Sequence, residues 1–137
     1  MIEAGIAKIK QEEGFCGVPY NDTRRFLTIL YGWNLSANPL PEIVGDFALR
    51  WKIKQIESEL ISYTWYNNLD IVRQTVIADM AFQMGVAGVA QFHGMIAAIE
   101  QKNYAAAAAA MLASEWAEQT QERAQDLAGI MRSGVFD

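Results

Sequence analysis

A chain of 137 residues, 52% hydrophobic and 20% charged, is long enough to fold as one domain around a real core and lacks the composition of a disordered polymer. Its 16 acidic and 11 basic side chains leave a net charge of −5, which argues against the basic field of a nucleic-acid binder. A lone Cys16 cannot close an intramolecular disulfide, so the fold does not rest on an oxidising compartment.

The first ten residues carry charges every few positions and no apolar core of signal-peptide length. Ile2, Ile6 and Ile9 recur at helical spacing, which predicts a helix over residues 1–12 with an apolar stripe. Gly14, Gly17 and Pro19 then discourage helix, Asn21-Asp22-Thr23 reads as a turn, and residues 26–31 are strand-like by their β-branched and aromatic content. A small antiparallel sheet around that turn is expected. Residues 34–40 form a loop, and Pro41 opens a helix to about residue 62, with Val44, Phe47, Trp51, Ile56 and Leu60 on a drifting face. Asn67-Asn68 breaks the pattern before a helix over residues 69–84, punctuated by Gly85 and Gly88. Further helices are predicted near residues 89–101, 104–115 and 120–132, with Met80, Phe82 and Met84 as core.

No repeat and no linker marks a second independent domain. The reading is a single α+β domain over residues 1–137, predominantly α. A small β-containing lobe spans about residues 13–41 and a connecting helix about 42–62. The helical lobe spans about 63–137 and takes in helix 1–12. No stretch is long and apolar enough to span a bilayer, so the chain is expected to stay in the cytoplasm.

Glu13 opens the chemistry. At 100° per residue it falls near the centre line of the Ile2, Ile6, Ile9 stripe, while Glu12 lies about 90° away. A carboxyl group aimed with an apolar face is desolvated, and a retained proton can be given to a leaving oxygen. The plainer alternative is a helix-terminal glutamate turned to solvent. Asp22 supplies a second carboxylate in a polar turn, and two carboxyls in different environments are the minimum kit for glycoside hydrolysis. Its alternative is a turn aspartate bonding its own backbone. Thr28 adds a hydroxyl able to hold water beside Asp22, or simply suits a strand. His93 is the only histidine, which leaves a histidine-based metal cluster or catalytic triad without support.

Taken together, Glu13-Gly14, Tyr20-Asn21-Asp22-Thr23, Thr28-Ile29 and Tyr31-Gly32 resemble the Glu…Asp…Thr site of the T-even phage lysozymes, glycoside hydrolase family 24. The resemblance continues through residues 69–85, closing on Phe82-Gln83-Met84-Gly85. It runs on through Gly88 to Phe92, Ser114-Glu115-Trp116, Gln119-Thr120, Arg123-Ala124 and residues 132–137. It implies a lysozyme-like fold, with a small β lobe and a helical lobe joined by a long helix and a cleft between them. It implies Glu13 as general acid, Asp22 as the carboxylate that directs or stabilises attack, and Thr28 as the group that positions water. Gln83, Tyr31 and Gly32 would contact saccharide. Arg123 stands where the family pairs an arginine with the catalytic glutamate, with Thr120 in support and Trp116 as packing.

Three places depart from the family pattern. Leu30 and Trp33 stand where the family has glycine and histidine, and Arg25 lies in a turn that usually contains glycine. Glycine permits positive φ and close approach of backbone to ligand, so these positions bear on the level of activity.

The resemblance implies hydrolysis of the β-1,4 bond between N-acetylmuramic acid and N-acetylglucosamine, with inversion and with no metal or organic cofactor. Peptidoglycan is the expected partner, with neither nucleic acid nor membrane insertion, and the chain is expected to be monomeric. Release from a host cytoplasm would then need a holin-type protein. One alternative is a catalytically impaired or altered lysozyme-fold protein that binds peptidoglycan or a partner without turnover. Another is a lytic transglycosylase, which Asp22 and Thr28, as water-handling groups, disfavour.

Overall fold

A computed structural model describes residues 2–136. The chain divides between Phe47 and Ala48 into two compact units, Met1–Phe47 and Ala48–Asp137.

The first unit begins with α1 (Glu3–Glu13), which stops at Gly14, whose N–H donates to the Lys10 carbonyl at 3.0 Å. Three antiparallel strands follow in sheet order: β1 (Cys16–Asn21), β2 (Leu27–Leu30) and β3 (Trp33–Asn34). Tyr20 pairs with Thr28 and Asn21 with Leu27, but the register shifts before Cys16 reaches Leu30. On the other edge of β2, Thr28 pairs with Asn34 and Ile29 with Trp33. The strand expected around residues 26–31 is therefore present, and β3 is an addition too short to announce itself by alternation.

The apolar stripe of α1 behaves differently from expectation. None of its residues is buried; Ile2 remains 76% and Ile9 44% exposed. Strands of six, four and two residues offer too little apolar surface to cover an 11-residue helix.

Helix α2 (Glu42–Leu60) runs through the division of the chain. Its face changes along its length. Ile43, Phe47 and Trp51 point one way and are 76%, 71% and 57% exposed, whereas Ile56 and Leu60 are buried. A step of five residues from Trp51 to Ile56 turns the helix by about 140°, so the exposed and buried apolar residues lie on different sides.

The second unit adds α3 (Thr64–Asn67), α4 (Ile71–Val89), α5 (His93–Glu100), α6 (Tyr104–Leu112), α7 (Glu115–Gln119) and α8 (Gln121–Ser133). Its core contains Leu60, Val76, Ile77, Met80, Val89, Met95, Met111 and Met131, all essentially closed to solvent. Helix starts are capped by side chains: Asp70 accepts from Arg73 N–H, Asn103 from Ala106 N–H and Ser114 from Ala117 N–H. Gly85, at φ 80° and ψ 158°, breaks α4 internally, a backbone turn that a side chain would strain. The expected breaks at Asn67-Asn68 and Gly85 thus appear. Helices α3 and α7, of four and five residues, are too short to carry a periodic pattern. Met80 is core as expected, but Phe82 is 42% exposed. Among the described residues no single helix is long and apolar enough to cross a membrane.

Candidate active site

The first unit carries Glu13 at the end of α1, and Asp22, Thr28, Tyr31 and Gly32 on the sheet and its turns. Glu13 is the last residue of α1, and its carboxylate lies directly against the backbone of Gly32. A Cβ added there would come within 2.5 Å of Glu13 Oε2. Gly32 also has φ +66°, so both its lack of side chain and its backbone conformation serve the contact. Glu13 itself is exposed. The desolvated position that the Ile2, Ile6, Ile9 stripe predicts is not found, because that stripe is not buried.

Asp22 and Thr28 are joined through one residue. Asp22 Oδ1 accepts the N–H of Arg24 at 2.8 Å and of Phe26 at 2.9 Å. The Phe26 carbonyl in turn accepts the Asp22 N–H at 3.0 Å and the Thr28 hydroxyl at 2.9 Å. The turn aspartate therefore does bond its own backbone, as the plainer reading has it. Because both N–H groups fall on Oδ1, Oδ2 is the oxygen left to meet a ligand. Thr28 is only 3% exposed, and its hydroxyl has spent its proton on Phe26. What it retains is acceptor capacity.

The departures from glycine take an unexpected form. Arg25 has φ 66° and Leu30 has φ 60°, both in the left-handed region that glycine occupies readily and other residues only at a cost. The strand and turn keep a glycine-like path with side chains attached. Trp33 serves the fold. Its indole N–H donates to the Asn38 carbonyl at 2.7 Å, fastening the loop that follows the sheet.

In the second unit Gln83, Thr120 and Arg123 line one open polar cavity of about 590 Å³, together with Glu118, Gln119, Gln121 and Glu122. Gln83 Oε1 accepts the Trp116 indole N–H at 2.8 Å, and Gln83 is exposed on the cavity wall. Trp116 is 9% exposed and packs edge-on against Phe92, in keeping with a packing role. The Thr120 hydroxyl donates to the Trp116 carbonyl at 2.9 Å and closes the end of α7. Arg123 is held by Asp79, with Nε at 2.9 Å and Nη2 at 2.7 Å from Oδ1. Sequence reasoning passes over Asp79, although it stands four residues before Gln83 on α4 and so on the same helix face. His93 is exposed at the start of α5.

No family model matches the chain. Two curated proteins of Dictyostelium discoideum do, "Probable T4-type lysozyme 1" at 38% identity and "Probable T4-type lysozyme 2" at 37%, each over 84 residues. Over that segment the chain is similar to these proteins. The matched segment is 61% of this chain and 49% of each relative, so the chain spans about half the length of the curated relatives it matches. Its α+β architecture, mainly helical with a three-stranded antiparallel sheet, accords with that likeness.

Proposed function

We propose that this protein is a peptidoglycan hydrolase of the lysozyme type, which opens the β-1,4 bond between N-acetylmuramic acid and N-acetylglucosamine. The observation that carries the reading is the pair of carboxylates on one small unit. Glu13 is set against the bare backbone of Gly32, and Asp22 is locked by two N–H bonds to a single oxygen. The likeness to proteins named T4-type lysozymes supports it. Glu13 acts as the proton donor to the glycosidic oxygen. Asp22 Oδ2 directs water or stabilises the developing cation, and buried Thr28 accepts a hydrogen bond from that water. Gln83 offers its amide NH2 to saccharide, while Asp79 holds Arg123 and Thr120 closes the end of α7.

The second reading, a binding module without turnover, draws on Arg25 and Leu30. Both have the positive φ that glycine adopts readily, and Leu30 brings a branched side chain where the resemblance expects none. Clearing of purified cell wall by the parent chain and by Glu13→Gln decides between them. Release of reducing ends by the parent alone is expected. Binding without such release by the parent would overturn the hydrolase reading, and equal clearing by both would overturn the role of Glu13.

A further inference from the structure

The first unit carries an aromatic surface that the assignment of Glu13, Asp22 and Thr28 does not use. Phe15, two residues after Glu13, is 64% exposed, and Tyr31, next to Gly32, is 41% exposed. Their ring centroids are 5.4 Å apart at an interplanar angle of 55°. The Phe15 ring also rests on Gly17, where an added Cβ would touch its Cε1 and Cζ at 3.4 Å. Lys10 Nζ stands 5.7 Å from the centre of the Tyr31 ring. Two large rings are thus held in place by a glycine, by each other and by a cation, yet remain open to solvent. Exposed apolar groups fixed in this way lose little freedom on binding and mark a recognition surface.

We propose that Phe15 and Tyr31 form a shelf for a pyranose ring beside Glu13, and that Lys10 selects a sugar bearing a carboxylate. The inference rests on the glycan reading above and names the residues that position and choose the sugar. An aromatic face is electron-rich and attracts the slightly positive C–H bonds of a pyranose face. Phe15 follows Glu13 by two residues and Tyr31 adjoins Gly32, which the Glu13 carboxylate meets, so the shelf and the acid are carried by the same short stretches of backbone. Lys10 is one helical turn before Glu13 on α1 and gives the shelf a positive edge. N-acetylmuramic acid, with its lactyl carboxylate, meets that edge favourably, and N-acetylglucosamine lacks the charge.

The test uses the full chain as Glu13→Gln, so that binding is measured without turnover. It compares chitooligosaccharide with a peptide-free oligosaccharide of alternating N-acetylglucosamine and N-acetylmuramic acid. Ring resonances of Phe15 and Tyr31 should shift with both ligands. Phe15→Ala should weaken binding about tenfold, with Phe15→Tyr staying within about twofold of the parent. Lys10→Ala should lose the preference for the carboxylated sugar. In the active chain, Phe15→Ala should raise KM far more than it lowers kcat. Unchanged affinity in Phe15→Ala, or ligand shifts that bypass Phe15 and Tyr31, would overturn the shelf. Absence of glycan binding by the parent would do the same. Tight binding on the shelf together with no release of reducing ends by the chain that retains Glu13 would instead overturn only the hydrolase reading.

Discussion

Glu13 and Gly32 occupy each other's space: the carboxylate of the first fills the volume where a side chain on the second would begin, 2.5 Å from Oε2. Replacing Gly32 by alanine must therefore move the carboxylate, and it must also place a Cβ on a backbone at φ +66°. Gly32→Ala should lower wall clearing at least about tenfold and cost about 1–2 kcal/mol of stability. A double-mutant cycle with Glu13→Ala separates the two effects. The backbone part of the loss remains when Glu13 is truncated, and the steric part disappears. Since Oε2 ends a flexible, exposed side chain that swings aside at little cost, the stability loss should be mostly the backbone part, and wall clearing unchanged in Gly32→Ala would contradict the role of the contact.

Asp22 has a backbone role seen in its hydrogen bonds and a proposed catalytic one, and isosteric and truncating replacements pull the two apart. Asp22→Asn keeps an oxygen for the Arg24 and Phe26 N–H groups, so it should fold nearly as well as the parent while losing lysis. Asp22→Ala removes the acceptor and should cost a further ~1–2 kcal/mol in chemical denaturation. Equal stability of the two variants would show that the N–H bonds contribute little.

Arg25 and Leu30 give a prediction of opposite sign. Arg25 is exposed at φ 66°, so Arg25→Gly should stabilise the chain by about 1 kcal/mol, read as a rise in melting temperature of about 3 °C. Leu30→Gly relieves the same kind of strain at φ 60°, but it also removes a half-buried side chain, so its net effect on stability should be smaller. If Leu30 obstructs substrate, the same change should raise the rate of wall clearing. An unchanged rate removes that idea.

Asp70 and Arg73 set an acid-dependent part of the stability. Partial burial raises the Asp70 carboxyl, but this is outweighed by the Arg73 backbone N–H, its guanidinium hydrogen bond and its charge, which together hold the group below the usual aspartate range. A carboxyl lowered in the folded state binds its proton more readily when unfolded. Its contribution is therefore complete above the ordinary value of about 4 and is lost as pH falls through the lower folded value. Denaturation of Asp70→Asn should show a shallower acid-side loss than the parent. An identical pH profile would refute the coupling.

Gln83 and Trp116 provide a spectroscopic check on the second unit. Gln83→Ala leaves the part-buried indole N–H without its 2.8 Å acceptor, which should cost about 1–2 kcal/mol and shift tryptophan emission. A chain with four tryptophans needs Trp116→Phe as the control, in which the emission effect of Gln83→Ala should vanish.

Much of the architecture is legible from periodicity and turn chemistry. The sheet around Asp22, the long helix after Pro41 and the breaks at Asn67-Asn68 and Gly85 all come from strong local signals. The stripe of Ile2, Ile6 and Ile9 misleads for a physical reason: amphipathic spacing states what a helix can bury, and burial also requires a facing surface of matching size. Helices α3 and α7 and strand β3 escape the pattern because two to five residues are too few for a period to repeat. At the site, motif order points to Glu13, Asp22, Thr28 and Gly32, and their local geometry gives each a definite set of contacts. The Phe26 carbonyl shared by Asp22 and Thr28 has no signal at all, since any residue offers a backbone oxygen. Asp79 does leave one, an acid at helical spacing from Gln83.

The outward row of Ile43, Phe47 and Trp51 has a practical bearing on how the molecule behaves at high concentration. These side chains are exposed apolar groups along α2, and the net charge of −5 opposes association of copies through them. Acidification into the carboxylate range erases that repulsion while the row stays as greasy as before. Precipitation on mild acid treatment is the expected result, and glutamate in place of Phe47 is the simplest remedy.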